Sequence, residues 1–160
     1  MSFENTSVVI FGATGGIGSA LGRQLAPQGC RLTLAARDPS RLDRLAGELH
    51  AQTCSVQATD SEAVDRCLAE ASERYGRLDG VVNCVGPVLT RTPLTAPVTG
   101  NALTLKASAA LHPLGRIGEP DEVASAIRWF LSPEQGWVTG QMLAVDGGLS
   151  ALQARMASNP

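Results

Sequence analysis

Short β-branched runs alternate along the chain with stretches in which apolar residues recur every three or four positions. Val8 to Phe11 is apolar, brief and stopped by Gly12, the pattern of a buried strand. Ile17, Ala20, Leu21 and Leu25 then fall on one helical face, closed by Pro27 and Gly29. Leu32 to Ala35 predicts a second strand. A helix follows, with Asp38 as its cap, Pro39 as its first residue and Leu42, Leu45, Ala46 and Leu49 on its apolar side. Thr53 to Gln57 reads as a third strand. Val64, Cys67, Leu68, Ala71 and Tyr75 share one side of a helix starting near Ser61, and Gly80 to Val85 reads as a fourth strand. Prolines and threonines break the periodicity from Gly86 to Pro97, which predicts a loop. A weak helix is expected over Asn101 to Leu111, and a stronger one from Pro120 with Val123, Ala126, Ile127, Phe130 and Leu131 inward. Gln141 to Val145 is the last expected strand. Trp129 lies off the inward stripe, as a subunit contact or as an ordinary exposed aromatic.

Strictly alternating strands and helices imply an α/β fold whose parallel sheet carries helices on both faces. A length of 160 residues makes residues 1–160 one domain. Thirteen basic against fifteen acidic residues leave a net charge of −2, without the blocks that would hold nucleic acid or an anionic membrane. Cys30, Cys54, Cys67 and Cys84 form no CxxC pair, and His50 and His112 are the only histidines, so no metal site is expected. No apolar run approaches the roughly 18 residues of a membrane span, and neither a signal core nor a disulfide framework is visible. A cytoplasmic protein with reduced thiols is expected.

The chemistry concentrates where the first strand meets the first helix, in Gly12, Ala13, Thr14, Gly15, Gly16, Ile17 and Gly18. Absent side chains at Gly12 and Gly16 let the backbone turn sharply and approach a diphosphate, whose charge meets the unpaired amides and positive end of the helix. Gly18 lets helix and strand pack closely. The alternative, a merely flexible glycine turn, does not use this placement between strand and helix.

This GxxxGxG spacing resembles the turn of the short-chain dehydrogenase/reductase family, commonly TGxxxGxG, with Phe11 in place of the leading threonine. Asp60 after the third strand, Asn83, Cys84, Val85 and Gly86 in place of NNAG, the run Pro113 to Pro120, and Asp146, Gly147 and Gly148 continue the resemblance in order. It implies a Rossmann-like three-layer sandwich, a nicotinamide dinucleotide as ligand, and a small carbonyl or alcohol as substrate where the protein is active. It also places Asp60 against the adenine, Asn83 and Gly86 beside the cofactor, and Thr92 near the carboxamide; a helix cap for Asp60 and a strand-end turn for Asn83 are the plainer alternatives. Arg37, just after the second strand, suits the 2′-phosphate of NADP(H), with NAD(H) less favoured. Asp38 is the rival that would select NAD(H), although its position before Pro39 suits a cap.

The family reduces carbonyls or oxidises alcohols with a serine and a YxxxK pair. Tyr75 and Lys106 are the only tyrosine and lysine, so that motif is absent and no catalytic residue is assigned. Asn83 to Gly86 matches the end of the family's fourth strand, while Pro87, Val88 and Thr92 match its PGxxxT segment, which places an internal gap between them. A shortened, about five-stranded sheet in the order 3-2-1-4-5 is therefore expected, with Gln141 to Val145 beside Gly80 to Val85. The last helix and strand offer a two-fold contact for a homodimer. The expected function is NADP(H) binding without the family's catalytic set, against two alternatives: a non-enzymatic subunit of a full-length relative, or a reductase with a different proton donor.

Overall fold

In a computed structural model, which describes residues 2–85 and 90–150, a parallel sheet is built from β1 (Ser7–Phe11), β2 (Arg31–Ala36), β3 (Gln52–Ser55) and β4 (Gly80–Asn83). Its order is β3-β2-β1-β4, so the chain adds strands to one side of β1 and then crosses to the other. The connecting helices are α1 (Gly16–Leu25), α2 (Pro39–Leu49) and α3 (Ser61–Tyr75). After β4 come α4 (Ala96–Thr99), α5 (Ala102–Leu111) and α6 (Pro120–Leu131).

The two-residue period of the strands sorts their side chains into two cores. Val8 and Ile10 of β1 and Leu32 and Leu34 of β2 face one way, joining Leu21 and Leu25 of α1, Leu42 and Leu45 of α2, and Ala124 of α6. Val9, Phe11 and Ala35 face the other way onto Cys67 and Ala71 of α3, with Val56. The three-layer α/β architecture expected from the pattern is thus formed. β1 is buried along its whole length because both faces and both edges are covered.

Three expectations are corrected. Gln141 to Val145 forms no strand, and among the described residues the sheet has four strands rather than five. The turn that follows is held elsewhere: the Gly147 carbonyl accepts the Leu114 amide at 3.3 Å, and Gly147 and Gly148 lie against His112 and Pro113. That anchor keeps Ala144 and Val145 beside the α5–α6 connection, and residues 141–145 do not pair with the edge of β4. Phe130 is exposed rather than inward; α6 packs on α1 through Ala124 and Ile127, and turns Phe130 edge-on to Trp129 at 5.0 Å. The stretch expected as loop up to Pro97 contains a 3₁₀ turn at Pro93–Thr95 and the start of α4.

Asp79 fastens β4 to the start of β1. Its carboxylate accepts the Ser7 amide at 2.8 Å and its own amide donates to the Ser7 carbonyl at 2.9 Å. The Arg77 guanidinium, and then the Ser7 amide, hold this carboxyl below the usual carboxylate range. A lowered folded-state pKa contributes stability that is complete above the unfolded value near 3.9 and fades as pH falls through the folded one. Asp79→Asn is therefore expected to lose about 1 kcal/mol at pH 7. Urea unfolding of variant and wild type should converge as pH falls below the usual carboxylate range; a constant difference would contradict the role of the charge.

Candidate functional site

A cleft of about 590 Å³ runs along the C-terminal ends of all four strands. It is walled by Phe11 and Gly12 at the end of β1, Ala35 to Asp38 at the end of β2, Val56 to Thr59 after β3, and Cys84 and Val85 after β4. Its centre is the point where the strand order reverses between β1 and β4, the place where open α/β sheets bind ligands.

The floor is the glycine turn. Gly12 has φ +73°, a left-handed conformation that favours glycine, and a Cβ there would meet the Cys84 carbonyl at 3.0 Å. At Gly18 a Cβ would sit 2.5 Å from the Gly12 oxygen, so this glycine sets how closely α1 approaches the turn. The N-cap of α1 is Gly15, which offers no side-chain oxygen, and the first turn holds no acidic residue. The leading amides and the positive end of the dipole are therefore left uncompensated by side chains. By contrast α2 is capped by Asp38, α3 by Asp60 and α5 by Asn101. An uncapped N-terminus under an open cleft fits an anionic group.

Gly12, Thr14, Gly15, Gly16, Ile17, Arg37 and Thr92 all line this cleft. Thr92, distant in sequence, stands over the start of α1, where a Cβ on Gly16 would fall 2.6 Å from its methyl group. Its side chain also makes a capping box with Thr95. Gly18 lies behind the turn as a packing residue. Asp60 caps α3 by accepting the Ala63 amide at 3.0 Å and is not among the lining residues; Gln57, Ala58 and Thr59 form that wall instead. Asn83 ends β4 and accepts the Val85 amide at 2.9 Å, likewise outside the lining. Gly86 lies outside the described residues.

Charge is divided unevenly around the β2 end. Asp38 accepts from the Ser40 and Arg41 amides at 3.0 and 3.2 Å and from the Ser40 hydroxyl at 2.8 Å. The Ser40 hydroxyl, and then the Arg41 amide, hold its carboxyl below the usual range, so the side chain is committed to the helix cap as an anion. Arg37 is exposed on the rim. Arg41, which the sequence reading passed over, also lines the cleft and donates Nη2 to the Thr14 carbonyl at 2.9 Å. Its only sequence signal is a cation in the first turn of a helix, the unfavourable end for one.

Burial pushes the Cys84 thiol up to about 11, so it is neutral at pH 7 and is no ready nucleophile. Tyr75 is half-buried at the end of α3, donates its hydroxyl to the Leu32 carbonyl at 3.4 Å and does not line the cleft. Lys106 lies on α5, also away from the lining. Among the described residues no cluster of metal-ligating side chains occurs, and no helix is long and apolar enough to cross a membrane.

Comparison with known proteins agrees with this geometry. The family model described as short chain dehydrogenase matches residues 6–102, and that described as Enoyl-(Acyl carrier protein) reductase matches residues 81–150. A chloroplastic tropinone reductase homolog of Arabidopsis thaliana is 30% identical over 109 residues, which are 68% of this chain and 34% of that protein. The chain thus spans about a third of that relative's length. Among solved structures, the 3-ketoacyl-(acyl-carrier-protein) reductase of Brucella melitensis complexed with NADH superposes with a TM-score of 0.79 at 18% identity, covering 93% of this chain and 100% of that one. An actinorhodin polyketide ketoreductase variant with NADPH gives 0.81 at 19% identity, covering 95% and 100%.

Proposed function

The chain belongs to the short-chain dehydrogenase/reductase family, and on that premise we propose that it is an NADP(H)-binding protein without the family's Ser/YxxxK proton-transfer set. The single observation that supports binding most is the uncapped start of α1 beneath a cleft large enough for a dinucleotide. The amides of Gly16 and its neighbours would hold the diphosphate, the wall from Val56 to Thr59 would lie along the adenine, and Thr90, Thr92, Pro93 and Leu94 would line the nicotinamide end. When bound, the nicotinamide supplies hydride chemistry; the chain's own residues bind and orient it. Thr92 stands over the start of α1, and the Cys84 thiol, which also lines the cleft, stays protonated at pH 7.

Neighbours of the same fold carry NADH in one case and NADPH in the other, so the choice of cofactor falls to the β2 end. There Asp38 caps α2 through its Oδ1, and Arg37 stands beside it on the rim as the cation that suits a 2′-phosphate. A guanidinium paired with a 2′-phosphate contributes about 1.5 to 3 kcal/mol, or roughly ten- to hundredfold in affinity. In calorimetric titrations the wild type is expected to prefer NADPH to NADH by about that factor. Arg37→Asp should remove the preference while leaving NADH binding close to wild type; an equal loss for both would overturn the assignment.

A second reading, an interaction subunit for a full-length relative, is favoured by apolar surface left open around α6 and the chain that follows. Trp137 and Met142 are 98% and 100% exposed, and Val81 on the outer strand β4 is half exposed. Co-purification with such a relative supports it; a sharp monomer peak in the mixture counts against it.

A further inference from the structure

We propose that the open edge of β4 and residues 141–145 pair between two copies of this chain, each copy lending its segment to the other's sheet as a fifth strand. β4 bonds to β1 along one side, and among the described residues no strand lies along the other. Gly80–Asn83 holds no charged residue and no proline, the devices that guard open edges, and Val81 is half exposed there. Residues 141–145 are the counterpart. They form no strand, and among the described residues no backbone hydrogen bond ties them to another element. Gln141 to Ala144 are exposed, Met142 completely so, in a segment that is apolar from Met142 to Val145 and uncharged throughout.

A sheet covered on both faces needs strands that are apolar on both, and the alternation of this segment gives Met142 and Ala144 to one face and Leu143 and Val145 to the other. The Gly147 turn, bonded to Leu114, holds the segment beside the α5–α6 connection of its own copy, so the edge it meets is a neighbour's. The occupant is a second copy because each chain carries one open edge and one unpaired segment. A partner with only a strand or only an edge to offer satisfies one and leaves the other open, whereas a reciprocal pair about a two-fold axis closes both. The apolar area is of the right size. Val81, Trp137, Val138, Met142 and Leu143 are between 38% and 100% exposed and together offer on the order of 700 Å² per copy, near the roughly 800 Å² that each partner buries in a standard interface. None of these five lines the nucleotide cleft, so the pairing stands apart from the cofactor reading.

The test measures mass in solution by sedimentation for wild type, Val81→Lys, Met142→Pro and an equimolar mixture of the two variants, with circular dichroism as the check of folding. The lysine puts a charge on the edge, and the proline removes an amide that makes no bond within its own copy. Wild type is expected to be a dimer, and each variant alone to dissociate at least about a hundredfold more readily. The mixture should regain association in part, because one chain keeps its segment and the other its edge. Amides of residues 141–145 should exchange with deuterium slowly in wild type and fast in Val81→Lys. Met142→Pro, at a fully exposed position, carries the test where Val81→Lys unfolds. A wild type that stays monomeric at about 1 mM overturns the proposal, and so does one that associates only with a full-length relative. A dimer that survives Met142→Pro places β4 against β4, and one that survives Val81→Lys places segment against segment; either overturns the reciprocal pairing. A mixture no more associated than its components overturns it too.

Discussion

Gly16→Asp is expected to abolish measurable binding of NADPH and NADH alike, by at least on the order of a hundredfold, while the protein stays folded. Gly16 is the first residue of α1, and α1 begins without a side-chain cap or an acidic residue in its first turn. An aspartate there supplies the anion that the helix end lacks and competes directly with a diphosphate for the same amides. The substitution also places a Cβ 2.6 Å from the Thr92 methyl, so Thr92 must move away from the turn. Both effects fall on the ligand rather than on the core, because acidic residues at this end favour the helix and Thr92 belongs to a surface turn. Circular dichroism should therefore match wild type while calorimetry detects neither nucleotide. Retained binding of both would show that the diphosphate does not lie on α1, and the cofactor reading would fall with it. Loss of NADPH alone would be the behaviour of the ribose end, not of this turn.

The parts of the molecule governed by local rules were legible in the sequence. The short apolar run ending at Gly12, the cap formed by Asp38 before Pro39, and the helical stripe Cys67 and Ala71 all take the positions their patterns imply, and the strands alternate side chains between two cores. What depended on distant partners was not. Residues 141–145 carry the composition of a strand, yet a strand exists only where an edge accepts its hydrogen bonds, and the turn at Gly147 is bonded to Leu114 instead. Phe130 fits the helical stripe, but with β4 as the last described strand no further sheet covers that side chain, and it pairs with Trp129 at the surface.

The candidate site divides in the same way. The turn from Gly12 to Ile17 and Arg37 were readable because their spacing relative to a strand carries the chemistry. Arg41 was not, since only the folded path of its long side chain brings it to Thr14. Gln57 to Thr59 have no motif and join the wall because β3 ends there. Asp60 satisfies its local grammar as a helix cap, and the plainer of its two readings is the one the geometry displays.

Gly18→Val is expected to destabilise the fold by about 3 kcal/mol or more, a large share of the 5 to 15 kcal/mol typical of a domain. Helix propensity alone would favour replacing a glycine inside α1, by up to about 1 kcal/mol for alanine. The surroundings reverse that sign: a Cβ would lie 2.5 Å from the Gly12 oxygen and 2.8 Å from the Ala13 Cα, both backbone atoms that cannot rotate away. Relief requires α1 to move off the turn, and α1 also carries Leu21 and Leu25 into the core and packs on α6. Each of those contacts loosens together, so the effect exceeds that of a single overpacked side chain. For a chain of this length the midpoint of thermal unfolding should fall by roughly 10 °C. Nucleotide affinity should fall as well, because the turn that would hold the diphosphate is the part displaced. The comparison with Gly18→Ala is decisive: the smallest Cβ meets the same two atoms, so alanine should also destabilise, by about 1 to 2 kcal/mol, despite its better propensity. A stabilised Gly18→Ala variant would mean that the contact between α1 and the glycine turn is looser than 2.5 Å implies, and the close backbone approach on which the diphosphate site is built would have to be abandoned.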